Sequence, residues 1–497
     1  MDYKMSLLKK HPQLTSLLLG ALCVFGFAPF YLFVLPILSM AGLFYLWELT
    51  SSPKQAAKLG FVFGLGFFIA GIYWIYISLH DIGGMPFWMA GLATFLLCAF
   101  LALFPACVGY LAKRSAHPLA SAAMLWVLSE WVRDWIFTGF PWLAVGYSQA
   151  PFSPLAGFAP IFGAFGVGLT VTISASLLVL IAQNKQRYSA IFGLLAILIV
   201  GGALSLINWT SPVGSPTKVA LIQGNIAQEM KWDESIAIQT VNQYLGMAKQ
   251  AQAELVILPE TALPIAIDLA QKDMAQDQVL TPFKTIAMQD HKAILVGAVS
   301  QKEDAYFNTM LGISSLDAVQ TYHKSHLVPF GEFIPFKSVF GWIYRDWLNM
   351  PLSDLSRGSH EQRPMQMAGQ KIAVNICYED VFGEEIIRQL PEATLLVNTS
   401  NDAWYGRSNA AEQHLQFSQM RALETGRMVL RATNTGATAI ISNKGDELAT
   451  VPQFTTVILN GTAQGYAGST PYIRWGNWAI ISLLFIALIL LWGRKKK

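Results

Sequence analysis

Three apolar runs in the second half of the chain each end on a reactive side chain. Glu260 closes ELVILPE (254–260), Lys324 closes VQTYHK (319–324) and Cys377 closes KIAVNIC (371–377). Strand ends of layered α/β folds open onto the crevices where ligands bind. A thiol needs a base to act as a nucleophile near neutral pH, and a carboxylate whose pKa is raised by burial can serve. A nearby ammonium would favour both the thiolate and an oxyanion developing on the substrate. Together, Glu, Lys and Cys fit covalent acyl transfer. Taken singly, a strand-terminal Glu, a surface Lys and a buried Cys are more often structural, and no spacing rule joins the three.

Cysteine usage adds weight to one of them. The chain has four cysteines, and Cys23, Cys98 and Cys107 fall in apolar runs. There a cysteine is ordinarily a small packing residue. Cys377 is the one thiol in the polar part of the chain, with no disulfide partner there. A lone thiol in an oxidising compartment is a liability unless its chemistry is used. Other chemistry finds little support. His323 and His326 flank Lys324, but no Cys or carboxylate cluster completes a metal site, so they read as polar strand-end residues. The sequence has no P-loop, no GxGxxG after a strand and no GxSxG, and no metal or organic cofactor is expected. NWT (208–210), NTS (398–400) and NGT (460–462) fit the glycosylation pattern, a short and common match. A net charge of +3 gives no reason to expect nucleic acid as a partner.

The elements that must carry these residues lie in 217–463, a stretch of ordinary soluble composition. Val- and Ile-rich runs at 218–226, 254–260, 293–300, 307–315, 319–324, 371–380, 394–402 and 428–445 read as strands. Residues 235–252 carry a helical stripe of Ile238, Val241, Tyr244, Leu245 and Ala248. Near-continuous apolar strands predict sheets covered on both faces. Strand-helix alternation followed by hairpin-like pairs predicts an α/β layered sandwich. Residues 208–216 and 463–474 read as its two joints to the rest of the chain.

The rest is apolar. The whole chain is 53% hydrophobic and 13% charged, against roughly 25% charged in soluble proteins. Mean hydropathy is +0.41. A bilayer core takes roughly 20 helical residues, and only helices or closed barrels cross it. About eight spans are expected, near 13–28, 31–49, 59–79, 87–111, 119–136, 155–183, 190–207 and 475–492. Pro29 and Pro36 mark a possible break in the first two. The first is not read as a cleaved signal peptide, because spans follow directly. Lys4, Lys9, Lys10, Lys54, Lys58, Lys113, Arg114, Lys185, Arg187 and the terminal RKKK all fall on one side. The opposite loops, 80–86 and 137–154, hold no Lys or Arg. The positive-inside rule then makes both termini cytoplasmic and places 208–474 outside. The expected division is a membrane domain at 1–207, an external domain at 208–474, and a last span with a basic tail at 475–497.

The external part resembles the carbon-nitrogen hydrolase (nitrilase) superfamily, whose Glu, Lys and Cys come in this chain order. The whole chain resembles the apolipoprotein N-acyltransferases, a family built on that fold. The resemblance rests on EWVRDWIFTGFPWLAVGYSQ (130–149), LIQGNIAQEMKWD (221–233), ILPETALP (257–264), YHKSHLVPFGEFIP (322–335), PLSDLSRG (351–358), NICYED (375–380) and NTSNDAWYG (398–406). It implies a nitrilase-like αββα sandwich on the periplasmic face of a bacterial inner membrane. It also implies roles: Glu260 as general base, Lys324 as oxyanion holder with the Tyr378 N–H, and Cys377 as nucleophile. Glu332 would support the lysine or the base, and Trp232, Tyr378 and Glu379 match further residues the family needs. Glu332 and Glu379 have plainer readings as an ion pair or backbone cap, and Trp232 and Tyr378 as packing.

The activity implied is ping-pong transfer of an sn-1 acyl chain from a phospholipid to the α-amine of a diacylglyceryl-cysteine on an apolipoprotein, through a Cys377 thioester. A monomer in the bilayer is expected. The segment 329–350, with Phe330, Phe333, Trp342, Tyr344 and Trp347, reads as core or as a lid dipping into the outer leaflet. Glu130 and Arg133 read as an i,i+3 pair or as a headgroup or acceptor site, since charges within spans lean functional. Two other readings compete: a membrane-tethered amidohydrolase acting on a soluble amide, and a transporter or scaffold carrying an inactive hydrolase domain.

Overall fold

The computed structural model describes residues 10–228, 234–268, 274–314, 318–335, 338 and 354–493. The chain divides into two compact units. One comprises Met1–Tyr76, Phe87–Asn208 and Arg474–Lys497, the other Ile77–Pro86 and Trp209–Ile473.

The first unit is helical: α1 (Pro12–Cys23), α2 (Val34–Leu49), α3 (Pro53–Gly71), α4 (Phe87–Arg114), α5 (Pro118–Trp135), α6 (Ala159–Ala182) and α7 (Arg187–Ser205), with Trp478–Gly493 near the end of the chain. Proline opens α1, α3 and α5, where its missing N–H costs no helical hydrogen bond. Among the described residues, Phe87–Arg114, Pro154–Ala182 and Arg187–Ser205 are long and apolar enough to cross a membrane. Pro53–Gly71 and Trp74–Ile82, bent by 51°, qualify together, and Pro12–Gly26, Val34–Leu49 and Trp478–Leu491 are apolar but shorter. The expected fifth span corresponds to α5, whose last turns hold Glu130, Arg133 and Asp134.

One connection departs from expectation. Residues 137–154 read as a short external loop, yet Pro141 through Ala150 are all buried. They fold into short 3-10 turns at Val145–Gln149 and Pro154–Phe158. Irregular backbone inside an apolar unit must find partners. Arg133 Nη1 donates to the Trp142 carbonyl (2.6 Å), and Glu130 Oε1 accepts from Val145 N (2.9 Å) and Trp126 Nε1 (2.9 Å). Gln149 Nε2 donates to the Phe33 carbonyl (3.0 Å). Gly146 is required here, since a Cβ would stand 2.0 Å from the Ala164 carbonyl oxygen. The missed signal was the run FPWLAVGY, too apolar for a water-exposed loop.

The second unit contains two sheets among the described residues. The first runs β13 (Val457–Gly468), β1 (Thr210–Gln223), β2 (Leu255–Ile257), β4 (Ala293–Lys302), β5 (Ala305–Ile313), β6 (Gln320–His323), with β3 (Leu263–Asp268) beside β4. The second runs β12 (Glu447–Thr450), β11 (Ala439–Ile441), β10 (Val429–Thr433), β9 (Leu395–Ser400), β8 (Gln370–Ile376), β7 (Met365–Met367). Val219, Leu221, Leu295, Ile372, Val374, Val397 and Leu430 pack between the sheets, and Cys377 belongs to that layer. The far face of the first sheet is covered by α8 (Glu234–Gln250) and α9 (Met274–Gln289), through Tyr244 and Phe283. The far face of the second is covered by α10 (Gly383–Ile386) and α11 (Ala410–Thr425), through Ile386, Leu415 and Ala422. The result is the αββα layering, and it explains why AILVGAVS in β4 is apolar at nearly every position: both faces are covered.

The segments read as joints are not loose. β1 and β13 pair antiparallel from Thr210↔Gly468 to Gln223↔Val457, so 210–216 and 463–468 form a ladder. Their small and polar composition hid the strands, because much of this ribbon is exposed. Residues 77–86, expected to be the end of a span and a loop, belong to this unit as well. Ser78 Oγ donates to the Trp404 carbonyl (2.7 Å).

Candidate active site

Each of the three reactive residues sits just past a strand. Glu260 follows β2 on a turn that crosses Gly297 of β4, where a Cβ would come 2.8 Å from the Glu260 Cα. Lys324 follows β6, and its N–H extends the ladder to the Asn308 carbonyl of β5 (2.8 Å). Cys377 follows β8 at the start of a 3-10 turn, Cys377–Val381, with a φ of +51°. A non-glycine residue in the left-handed region is strained and is held there by its surroundings.

The structure brings these ends together. Lys324 Nζ, 1% exposed, lies 3.4 Å from Glu260 Oε1 and 2.9 Å from Glu332 Oε2. Burial opposes the ammonium charge, but Glu332 and then Glu260 outweigh it and hold the lysine pKa above its ordinary range. The Cys377 thiol is pushed up to about 12 by burial and then by the Glu260 carboxylate, while Lys324 pulls the other way. The resting thiol therefore keeps its proton, and the charges of Glu260 and Lys324 both bear on it. A protonated thiol, a carboxylate and a fixed ammonium can together carry out base-assisted nucleophilic attack on an acyl carbon.

The supporting residues divide by what they touch. Glu332 contacts the lysine and also accepts from Val328 N (2.8 Å), so it ties the 328–332 turn to the site. Glu379 is a buried clamp. It accepts from Ile376 N (2.7 Å), Ser325 N (2.6 Å), Ser325 Oγ (2.8 Å), His326 N (3.2 Å) and Tyr322 O–H (3.0 Å), joining the lysine loop to the cysteine turn. Burial pushes its carboxyl pKa up, and the backbone donors at Ile376 and Ser325 oppose that. Tyr378 is buried edge-on to Phe382 (5.2 Å between ring centres). His323 meets Thr309 Oγ1 (2.8 Å) and His326 meets Glu385 Oε1 (3.1 Å), so each is engaged by a different polar neighbour. Phe330 is 40% exposed, and Phe333 lies under the Arg357 guanidinium at 5.2 Å. Trp232, Trp342, Tyr344 and Trp347 lie outside the described residues.

Several residues at the site were not singled out from the sequence. Asn308 Nδ2 donates to both Glu260 Oε1 (2.7 Å) and Glu332 Oε1 (2.9 Å). With its carbonyl on Lys324 N, this one residue touches both carboxylates and the backbone of the lysine between them. An amide in the middle of the apolar run FNTMLGI was the available signal, since a buried Asn demands partners. Asn401 N donates to Glu260 Oε2 (2.9 Å) and so fixes the second carboxylate oxygen. Asp402, His414 and Arg431 form a buried set beside Cys377; the first lies in the quoted string NTSNDAWYG, but nothing local links it to the other two.

Comparison with known proteins follows the same two-part division. The model of the apolipoprotein N-acyltransferase N-terminal domain matches residues 19–177, and that of carbon-nitrogen hydrolase matches residues 218–472. A Nitrosomonas europaea protein named apolipoprotein N-acyltransferase is 49% identical over 491 residues, covering 96% of this chain and 97% of that one. A Chromobacterium violaceum protein of the same name is 43% identical over 495 residues, covering 97% and 94%. Among solved structures, a CN-hydrolase superfamily protein of Xanthomonas campestris matches 57% of this chain and 99% of its own at 17% identity, with a TM-score of 0.38.

Proposed function

The chain belongs to the apolipoprotein N-acyltransferase family, and on that premise we propose that it N-acylates lipoproteins by a ping-pong reaction through a Cys377 thioester. The donor in this reading is the sn-1 ester of a phospholipid. The acceptor is the α-amine of the N-terminal diacylglyceryl-cysteine of an apolipoprotein. The observation that carries the proposal is the convergence of Glu260 and Glu332 on one buried ammonium, Lys324 Nζ, and on one shared amide, Asn308 Nδ2.

In the first half-reaction Cys377 Sγ attacks the ester carbonyl while Glu260 takes the thiol proton. Lys324 and the Tyr378 N–H hold the oxyanion that forms. Its collapse breaks the ester C–O bond, and the leaving alkoxide takes the proton from Glu260 and departs as lysophospholipid. In the second half-reaction the acceptor amine attacks the thioester and gives a proton to Glu260. Cys377 leaves as the thiol after taking that proton back. Ester and amine become alcohol and amide, with no redox change and no cofactor.

The apolar helices suit a donor that cannot leave a bilayer. In this reading 1–207 and 475–497 span the inner membrane with both termini cytoplasmic, eight spans in all, and 208–474 is periplasmic. Exposed Phe330 and its neighbour Phe333 then offer an apolar surface next to Glu332 for the acyl chain.

The test is to incubate purified protein with a phospholipid labelled in its sn-1 chain and no acceptor. A hydroxylamine-labile acyl group on the Cys377 peptide, absent from Cys377→Ala, is the expected result. Amidase activity on a soluble amide with no such adduct would point to a tethered hydrolase instead, and acylation of lipoprotein by Cys377→Ala would sink the proposal.

A further inference from the structure

Next to the nucleophile lies a second set of buried charges that the acyl-transfer steps leave unused. The Cys377 carbonyl, part of the strained turn, accepts from Asn398 Nδ2 (3.3 Å) and stands 3.1 Å from His414 Nε2. The other ring nitrogen, Nδ1, stands 3.2 Å from Asp402 Oδ1. A backbone carbonyl only accepts hydrogen bonds, and so does a carboxylate. Neither neutral tautomer of His414 satisfies both contacts, because the nitrogen without a proton would turn its lone pair toward an oxygen.

Asp402 is ionised. Burial opposes its charge, but Arg431 and then His414 outweigh that and hold its carboxyl well below the usual carboxylate range. Arg431 Nη2 lies 3.1 Å from Asp402 Oδ2, and Arg431 Nη1 lies 3.6 Å from Asp380 Oδ2 and 2.5 Å from Asn398 Oδ1. Asp380, Asp402, His414 and Arg431 are each 2% exposed or less. The set thus holds two carboxylates against one guanidinium, and a doubly protonated His414 makes it neutral. Around the ring stand Asp402 and Tyr405 from the 402–405 turn, Arg431 from β10 with Asp380 beyond it, and the Cys377 turn itself. The Tyr405 ring is 6.4 Å away, centre to centre.

We propose that His414 is a positioning residue: with a proton on each ring nitrogen, it holds the Cys377 carbonyl in the strained turn and screens the thiol from Asp402. The screening matters because the Asp402 carboxylate is among the groups that disfavour the thiolate. A cation bonded to the Asp402 carboxylate and to the Cys377 carbonyl offsets it without touching substrate. The inference rests on reading Cys377 as the nucleophile, but its test needs neither lipid nor acceptor.

The experiment measures iodoacetamide alkylation at the Cys377 peptide across pH, using the full chain in detergent micelles. His414→Gln keeps an N–H for the Cys377 carbonyl and supplies no charge. Its profile should shift to higher pH by about one unit, so that alkylation on the rising limb falls about tenfold. A purely structural role would lower the melting temperature and leave the profile in place, so a folded His414→Gln protein that alkylates like wild type overturns the proposal. If that variant does not fold, the wild-type chain still decides. In its nitrogen-15 spectrum at neutral pH both ring nitrogens of His414 should carry a directly bonded hydrogen, and a single protonated nitrogen overturns the proposal. Loss of the thioester adduct would count against the acyl-transfer reading and leaves both of these readouts intact.

Discussion

Each unit of the chain buries an acid and a base, and the two units satisfy them with different partners. On α5, Glu130 and Arg133 stand one turn apart, the spacing of a helical ion pair. Both spend hydrogen bonds on the buried backbone of the 141–150 segment, at Val145 N and the Trp142 carbonyl. In the sheet unit, Glu260 and Glu332 each take one backbone N–H, from Asn401 and Val328, and each also meets the Lys324 ammonium and the Asn308 amide. A charge held by backbone is part of the fold, since giving up its proton state would break a turn. A charge that also shares a counter-charge and an amide with a second carboxylate, beside a thiol, keeps a proton in play. Burial alone does not separate these cases, and the identity of the partner does.

The largest effect that would sharpen this contrast is at Lys324. Lys324→Met leaves Glu260 and Glu332 without their shared cation and, in the proposed reaction, removes an oxyanion contact. Thioester formation should fall by about 10²–10³-fold or more, the loss seen when one oxyanion donor is removed. The pH profile should move with it. In wild type the Cys377 thiol sits near 12, so its alkylation should keep climbing with pH well beyond the ~8.5 of an ordinary thiol. Lys324 lowers that value, so the variant's profile should shift further up. A thioester rate within tenfold of wild type would break the comparison.

Next comes Asn308. Asn308→Asp keeps the shape but replaces an N–H₂ donor shared by two carboxylates with a third acceptor. One of the clustered carboxyls must then take up a proton, as like charges in one site do. Thioester formation should fall roughly 10- to 100-fold, because both carboxylates lose their shared donor and gain a like charge beside them. Single-turnover thioester formation checks this. A wild-type rate in a folded variant would show that Asn308 only fills space.

These residues also mark how far sequence reading reached. The strands that lead to Glu260 and Cys377 were legible because covered strands are apolar along their length, whereas the one before Lys324 is a partly exposed edge strand that carries a weaker pattern. The β1–β13 ladder was not, since an exposed ribbon of Gly, Ser, Thr and Pro carries no burial pattern. At the site, the three reactive types were visible as strand-end residues, and resemblance was needed to join them. Asn308, Asn401 and the His414–Asp402–Arg431 set were missed for a different reason. Their meaning lies in partners on other elements, from His414 on Asp402 across 12 positions to Asn401 N on Glu260 across 141. Local composition says that a buried polar residue needs a partner, not which one. The 137–154 loop failed in the same way: low charge between two helices reads as a loop, although an apolar connection can be folded inward if side chains such as Glu130 and Arg133 cap it.

The smallest effect on chemistry should come from Glu130, and this makes it the sharpest test of the contrast. Glu130→Gln keeps a carbonyl oxygen that can accept from Val145 N and Trp126 Nε1, so stability should change by about 1 kcal/mol or less. Glu130→Leu leaves both donors buried and unpaired, which costs about 1–3 kcal/mol for each unsatisfied group. Thermal melting in micelles should rank wild type and Gln close together with Leu well below. Thioester yield per folded molecule should stay within about twofold for both variants, because the residue's partners are Val145 and Trp126 and not the reacting groups. If Glu130→Gln instead melted like wild type and formed no adduct, a backbone-held carboxylate would be doing chemistry or binding substrate. The rule drawn from the two clusters, that the partner's identity separates structural from reactive charge, would then fail in this protein.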